Sequence, residues 1–233
     1  MSAIIVAQRL LTREHAQRLP MNHIHDLKYL NMTRDVIVVV NNVKNNHSEN
    51  SRQLYMKHHI HYVENNKWNI GFGFEFGAWR SGIAFMKALS LDAHIFNYYF
   101  LQDSLRLTQP LITYSMQYPM CFKFPNFFKN GKDRNNNLQG HVTMTPLCYK
   151  LSATSATYRA FQEAHNFSGC VGPNFAVNSS FLDHDIVKHD VLNIKVQRKH
   201  DEQCTERLIG WYLGPRREQD LSHFFKKQWI GRT

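Results

Sequence analysis

Apolar positions along the chain fall into short β-branched runs separated by stretches of helical spacing. Ala3–Ala7 (AIIVA) is apolar throughout and reads as a buried strand. A helical stretch begins near Thr12, and Pro20 should end or kink it, because proline lacks an N–H and crowds the preceding turn. Asp35–Asn42 (DVIVVVNN) is the clearest strand, five apolar residues stopped by two asparagines. A run apolar on both faces predicts a parallel strand covered on both sides. Ile60–Asn65 (IHYVEN) reads as the next strand. A glycine-aromatic stretch then leads into a helix over about residues 77–89, and His94–Ser104 (HIFNYYFLQDS) forms a strand that ends in a carboxylate.

Strand, helix, strand, strand, helix, strand predicts a three-layer α/β half with a mainly parallel central sheet. Ligands of such sheets bind beyond the carboxyl ends of the strands. That rule places Asn41, Asn42, Glu64 and Asp103 along one rim. The second half is less regular. A polar loop, 129–140 (KNGKDRNNNLQG), divides the chain without demanding two domains, so 1–233 reads as one domain with halves 1–128 and 141–233. Residues 154–167 have helical spacing, and 169–182 (GCVGPNFAVNSSFL) read as turn, strand and turn. Residues 200–213 (HDEQCTERLIGWYL) form an amphipathic helix with Leu208, Ile209 and Tyr212 on its apolar face. Asp201 and Glu202 fall in its first turn, where the helix dipole favours carboxylates.

Composition narrows the class. With 233 residues, 43% hydrophobic and 13% aromatic, the chain is long and apolar enough for one globular core and is not a disordered polymer. The net charge of +10 implies an anionic partner, and nucleic acid, a nucleotide diphosphate or an acidic membrane face would all fit. Lysines and arginines are dispersed, with modest clusters at Lys195–Lys199 and Arg216–Arg217. No continuous basic stripe accompanies a nucleic-acid module, which favours a solvated basic surface over a nucleic-acid groove. No apolar run approaches a membrane span, and the first residues lack the basic region and cleavage site of a signal peptide. Cys121, Cys148, Cys170 and Cys204 lie far apart without a CxxC pair, as expected for reduced thiols of a cytoplasmic protein.

Three features carry candidate chemistry. In NIGFGFEFGAWRSGI (69–83), Gly71, Gly73 and Gly77 give GxGxxxG, one residue too long for a dinucleotide or kinase loop, and no Walker lysine follows. A tight turn over buried phenylalanines and a helix N-terminus offered to a diphosphate are both open readings. In YYFLQDSLRLTQP, an apolar strand delivers Asp103 into a polar turn. The carboxylate either caps that turn or reaches a divalent cation that bridges phosphates. His58, His59 and His61 (MKHHIHY) lie at a helix-to-strand junction, pointing in different directions, and read as structural or surface residues rather than zinc ligands.

Taken together, HYVENN…NIGFGFEFGAWRSGI, FNYYFLQDSLRLTQPL, FSGCVGPNFAVNSSFL and RKHDEQCTERLIGWYL resemble, in order and spacing, a group of GT-A-type glycosyltransferases. That group is related to the glycosyltransferase domain of large algal viruses and to bacterial rhamnan- and capsule-type transferases. The similarity spans roughly residues 35–214. It implies a GT-A-like fold, with a nucleotide-sugar-binding half over 1–128 and a smaller acceptor-side half over 141–233. Asn41 and Asn42 would then sit near the base or ribose. Gly71, Gly73, Glu75, Trp79 and Arg80 would shape the donor pocket, Arg80 as a diphosphate partner. Cys170 and Gly172, in the Gly-Cys-x-Gly turn, would belong to the substrate site. Asp103 would replace the metal-binding carboxylate of the DxD motif and hold Mn2+ or Mg2+. LQDS departs from that motif in having one carboxylate, so Gln102, Ser104 or Arg106 would contribute. Asp201, Glu202 and Glu206 are the candidate catalytic carboxylates, Asp201 first. The implied partners are a nucleotide-diphosphate sugar and a glycan or lipid-linked acceptor, with peripheral membrane contact and no specific nucleic acid. The alternatives are a non-catalytic sugar-nucleotide-binding relative and a basic nucleic-acid-binding protein.

Overall fold

A computed structural model of the chain describes residues 1–8, 13–31, 35–41, 48–65, 74–121, 174–182 and 219–228. The apolar runs become strands β1 (Ser2–Gln8), β2 (Val36–Asn41), β3 (His61–Glu64) and β4 (Asn97–Gln102). These lie parallel in the order β3-β2-β1-β4. The sheet continues through β7 (Phe175–Asn178), β6 (Met120–Cys121) and β8 (Gln219–Asp220), with β7 antiparallel to β4 and β6. The molecule is thus mixed α/β with a mainly parallel central sheet, as its hydrophobic pattern predicts. β5 (Leu105–Leu107) and β9 (Phe225–Lys227) form a separate antiparallel ribbon.

Parallel neighbours need crossovers, and helices supply them. α1 (Arg13–Asp26) joins β1 to β2, α2 (Ser48–Lys57) joins β2 to β3, and α3 (Phe74–Ala88) joins β3 to β4. The strand-strand step between β2 and β3 expected from sequence therefore contains a helix, α2. The direction of winding reverses between β1 and β4, the switch point where doubly wound sheets open a crevice.

Two cores cover the two faces. Ile4, Val6, Ile37, Val39, Tyr99 and Leu101 join Tyr55 of α2 in one. Ala3, Ile5, Val38, Val40, Tyr98 and Phe100 join Phe76, Trp79 and Met86 of α3 in the other. α3 packs so close that a Cβ on Gly82 would lie 2.5 Å from Ile5 Cγ2, so only glycine suits this contact.

α1 runs on through Pro20 to Asp26, so of the two expected effects of the proline, ending the helix is not the one seen. The Ala16 carbonyl, which would ordinarily accept from the residue at 20, instead accepts from Ser51 Oγ of α2 at 3.1 Å. A neighbouring helix thus supplies the donor that proline removed. α2 and α3 end alike. Ile60 N–H donates to the Tyr55 carbonyl and His59 N–H to that of Met56, while Leu91 donates to Met86 and Ser90 to Lys87. These are Schellman closures, with His59 (φ 59°) and Ser90 (φ 54°) in the left-handed position usually given to glycine.

Candidate functional site

The carboxyl ends of the strands converge on one rim. Gln8, last in β1, lies opposite Asn41, last in β2, and Asn41 lies opposite Glu64, last in β3. On the other flank of β1, the Asp103 N–H donates to the Ala7 carbonyl at 3.1 Å. Asp103 and Ser104 form the two-residue turn between β4 and β5, so the carboxylate is delivered at the switch point. Asn41, Glu64 and Asp103 share the rim as expected. Asn41 Nδ2 donates to Ser48 Oγ at the start of α2, at 3.2 Å.

Below Asp103 lies a buried chain of polar groups. Gln8 Nε2 donates to Tyr55 Oη at 2.6 Å, and Tyr55 Oη lies 2.8 Å from His23 Nδ1, with the two rings stacked. The Tyr55 hydroxyl can give its proton to Nδ1, and the imidazole hydrogen is then on Nε2. The ring lies near the backbone of Asp103, with Nε2 outside hydrogen-bond distance of any partner among the described residues. His23 is only 4% exposed. Burial drives its pKa down to about 4 against the opposing attraction of Asp26; Arg106 depresses it further, and the Asp103 carbonyl favours the charged form. Burial raises the Tyr55 hydroxyl well above its usual range; the Gln8 hydrogen bond opposes this and the Asp103 charge adds to it.

A pH dependence follows. The unfolded chain takes a proton at His23 near pH 6.5, whereas the folded chain resists until about pH 4. Folding stability is therefore full above pH 6.5 and falls as pH drops to 4, by about 3 kcal/mol from this group. Urea unfolding at pH 7 and pH 4.5 should show the loss in wild type and a clearly smaller loss in His23→Gln. Equal losses would remove His23 as the cause.

On the α3 side, side chains take over where the β-ladder stops. The Gln102 N–H donates to Asn174 Oδ1 at 2.6 Å, and Gln102 Nε2 donates to Glu75 Oε1 at 2.8 Å. Glu75 sits in the first turn of α3, where the helix dipole favours its charge. Trp79 lies one turn deeper and fully buried, with its Nε1 donating to the Leu101 carbonyl at 3.2 Å. It supports the end of β4 from beneath. Arg80 is half-buried, and burial lowers its pKa.

Arg106 points the other way, into α1. Its Nε and Nη2 donate to Asp26 Oδ1 at 2.9 and 2.7 Å, and its Nη1 donates to Asn22 Oδ1 at 2.8 Å. The Leu107 N–H adds a bond to Asp26 Oδ2 at 2.9 Å. Its guanidinium is committed to this ion pair.

The structure therefore brings Asn41, Glu75, Gln102, Asp103 and Ser104 to the rim, with Trp79 beneath it and Arg106 behind it. Asn42, Gly71, Gly73, Cys170, Gly172, Asp201, Glu202 and Glu206 lie outside the described residues. Sequence reasoning missed Gln8, His23, Tyr55 and Asn174. Among the described residues no three His, Cys, Asp or Glu side chains converge as a metal site. His59 closes α2, and His61 packs against Phe85 with centroids 5.5 Å apart. A cavity of about 430 Å³ opens at the opposite end of the sheet, lined by Ser2, Asp35, His94 and Phe96 among others, and is unconnected with this rim.

No protein-family model matches the chain, and no curated protein matches it. Among the described residues no helix is long and apolar enough to cross a membrane.

Proposed function

We propose that the chain is a glycosyltransferase of the GT-A type that moves a sugar from a nucleotide-diphosphate sugar to a hydroxyl of a glycan or lipid-linked acceptor. The observation that carries this reading is the position of Asp103, on the turn after β4 at the β1/β4 switch point of a doubly wound sheet. A hard divalent cation commonly takes one or two protein carboxylates and fills its remaining positions with phosphate oxygens and water. The Asp103 carboxylate, with the Ser104 hydroxyl beside it, fits Mg2+ or Mn2+ in that mode. When bound, the cation would offset the charge of the departing diphosphate.

Each described residue then has a defined task. Asp103 would hold the cation at the diphosphate end of the donor. Gln102, held by Glu75 and Asn174, keeps β4 in place behind it. Asn41 lines the base or ribose side of the rim. The acceptor oxygen attacks the anomeric carbon as the bond from that carbon to the diphosphate oxygen breaks, and a carboxylate takes the acceptor proton. Asp201, then Glu202 and Glu206, are the sequence candidates for that base, which would give inversion. The net charge of +10 would allow such an enzyme to work in the cytoplasm at an anionic membrane face.

A non-catalytic sugar-nucleotide-binding protein is the second reading, supported by the single carboxylate in LQDS. Calorimetric titration against UDP-, GDP- and dTDP-sugars, with and without manganese, tests both. The expected result is manganese-dependent binding that weakens by about tenfold or more in Asp103→Ala. Binding without sugar release to any acceptor would favour the second reading. A folded protein that binds none of them would sink both and turn attention to anionic polymers.

A further inference from the structure

The turn that presents Asp103 is short, yet three separate parts of the chain hold it. β1 takes the Asp103 N–H through the Ala7 carbonyl at 3.1 Å. The Gln228 N–H, just past β9, donates to the Ser104 carbonyl at 2.7 Å. α1 supplies the rest from one edge. His23 lies against the Asp103 backbone, and Asp26 binds both the Arg106 guanidinium and the Leu107 N–H. Asn22 bridges two of these supports, accepting from Arg106 at 2.8 Å and donating to Gln228 Oε1 at 3.0 Å. Residues 22, 23 and 26 occupy one edge of the helix, since positions three and four apart face the same way.

A buried arrangement of this kind demands an explanation. A turn needs only its own backbone bonds, and a histidine, a tyrosine and a glutamine sunk between two helices and a sheet carry a desolvation cost. They sit in β1, α1 and α2, so one strand and both crossover helices of this face meet under one residue. Tyr55 links His23 to Gln8. The order of this chain ends at the Asp103 backbone.

We propose that the Asn22–His23–Asp26 edge of α1 is the positioning device of the Asp103 turn and sets the direction in which that carboxylate meets the cation and diphosphate of a sugar nucleotide; this rests on the donor-site reading above. His23 touches neither donor nor cation and acts through the backbone of Asp103. The Arg106–Asp26 pair holds the far side of the same turn. Disturbing the Asn22 or His23 support leaves the carboxylate in place but lets its direction wander, which weakens binding of a rigid ion.

Two replacements of His23 separate this role from packing. Glutamine carries its amide nitrogen to where Nε2 stands and keeps a donor for the Asp103 carbonyl. Asparagine reaches only to the position of Nδ1 and loses it. Both lose the ring and its stacking on Tyr55. Nucleoside diphosphates (UDP, GDP and dTDP) are titrated calorimetrically in manganese, with thermal unfolding measured in parallel on wild type, His23→Gln, His23→Asn, Asn22→Ala and Asp103→Ala. The two His23 variants should unfold at similar temperatures. His23→Asn should bind about tenfold more weakly than wild type, and His23→Gln should stay within about threefold. Asn22→Ala, which leaves the buried ion pair intact, should weaken binding about threefold and serves if both His23 variants fail to fold. Wild-type affinity in His23→Asn and Asn22→Ala, or equal losses in the two His23 variants, overturns the proposal. If Asp103→Ala still abolishes binding in that case, the donor-site reading stands without it. A wild type that binds no nucleoside diphosphate removes the reading and this proposal together.

Discussion

Arg106→Ala is expected to destabilise the protein by about 3–5 kcal/mol, because it strands a buried carboxylate. The Asp26 side chain is 8% exposed and that of Arg106 is 18% exposed. An exposed pair contributes little, but this one is desolvated, bidentate and joined to the Leu107 N–H. For a chain of this length the melting temperature should fall by roughly 6–20 °C. Chemical denaturation of Arg106→Ala, Asp26→Leu and the double variant separates the terms. The double variant should recover part of the loss, since no charge is then left alone in the interior. A stability change below about 1 kcal/mol with a large loss of donor affinity would mean that Arg106 faces the ligand.

Trp79→Ala should be comparably severe, at about 3–5 kcal/mol. Trp79 is fully buried, with Phe76, Phe100 and Phe175 around it at centroid distances of 5.1, 5.7 and 5.7 Å. These rings come from α3, β4 and β7, so one side chain ties the helix to two strands that run in opposite directions. Its loss also leaves the Leu101 carbonyl without the indole donor, one residue before Gln102. Trp79→Phe keeps most of the volume and should cost roughly half as much. Urea unfolding followed by near-ultraviolet circular dichroism measures both. A Trp79→Ala protein as stable as wild type would mean that the cluster packs loosely.

The sheet was largely legible in the sequence. A valine run flanked by asparagines has few other readings, and the end of an apolar strand located Asp103 correctly at the rim. What escaped was whatever depends on two segments at once. Pro20 reads as the end or a kink of a helix, and that the helix runs on depends on Ser51 of a different helix, which supplies the Ala16 carbonyl with a donor. Trp79 and Arg106 look like pocket residues in a linear motif. Their surroundings, an aromatic cluster and a buried aspartate 80 positions away, are properties of the fold. His23 was one of fourteen histidines in the chain. Its partners Gln8 and Tyr55 lie in β1 and α2, and no spacing rule connects the three. α2 was obscured by its polar composition, because SENSRQLYMK has only a short apolar stripe.

The ribbon of β5 and β9 has a consequence for the newly made chain. Leu107 pairs with Phe225, 118 residues further on. At roughly 5–20 residues per second, the ribosome needs roughly 6–24 s to deliver the partner after β5 has been made. Throughout that interval β1–β4 can already pair, yet Ser104 still lacks its Gln228 donor and Leu107 its partner strand. The four parallel strands can thus pair before the turn that carries Asp103 is complete, so the carboxylate end of the switch point takes its final shape after the strands that present it.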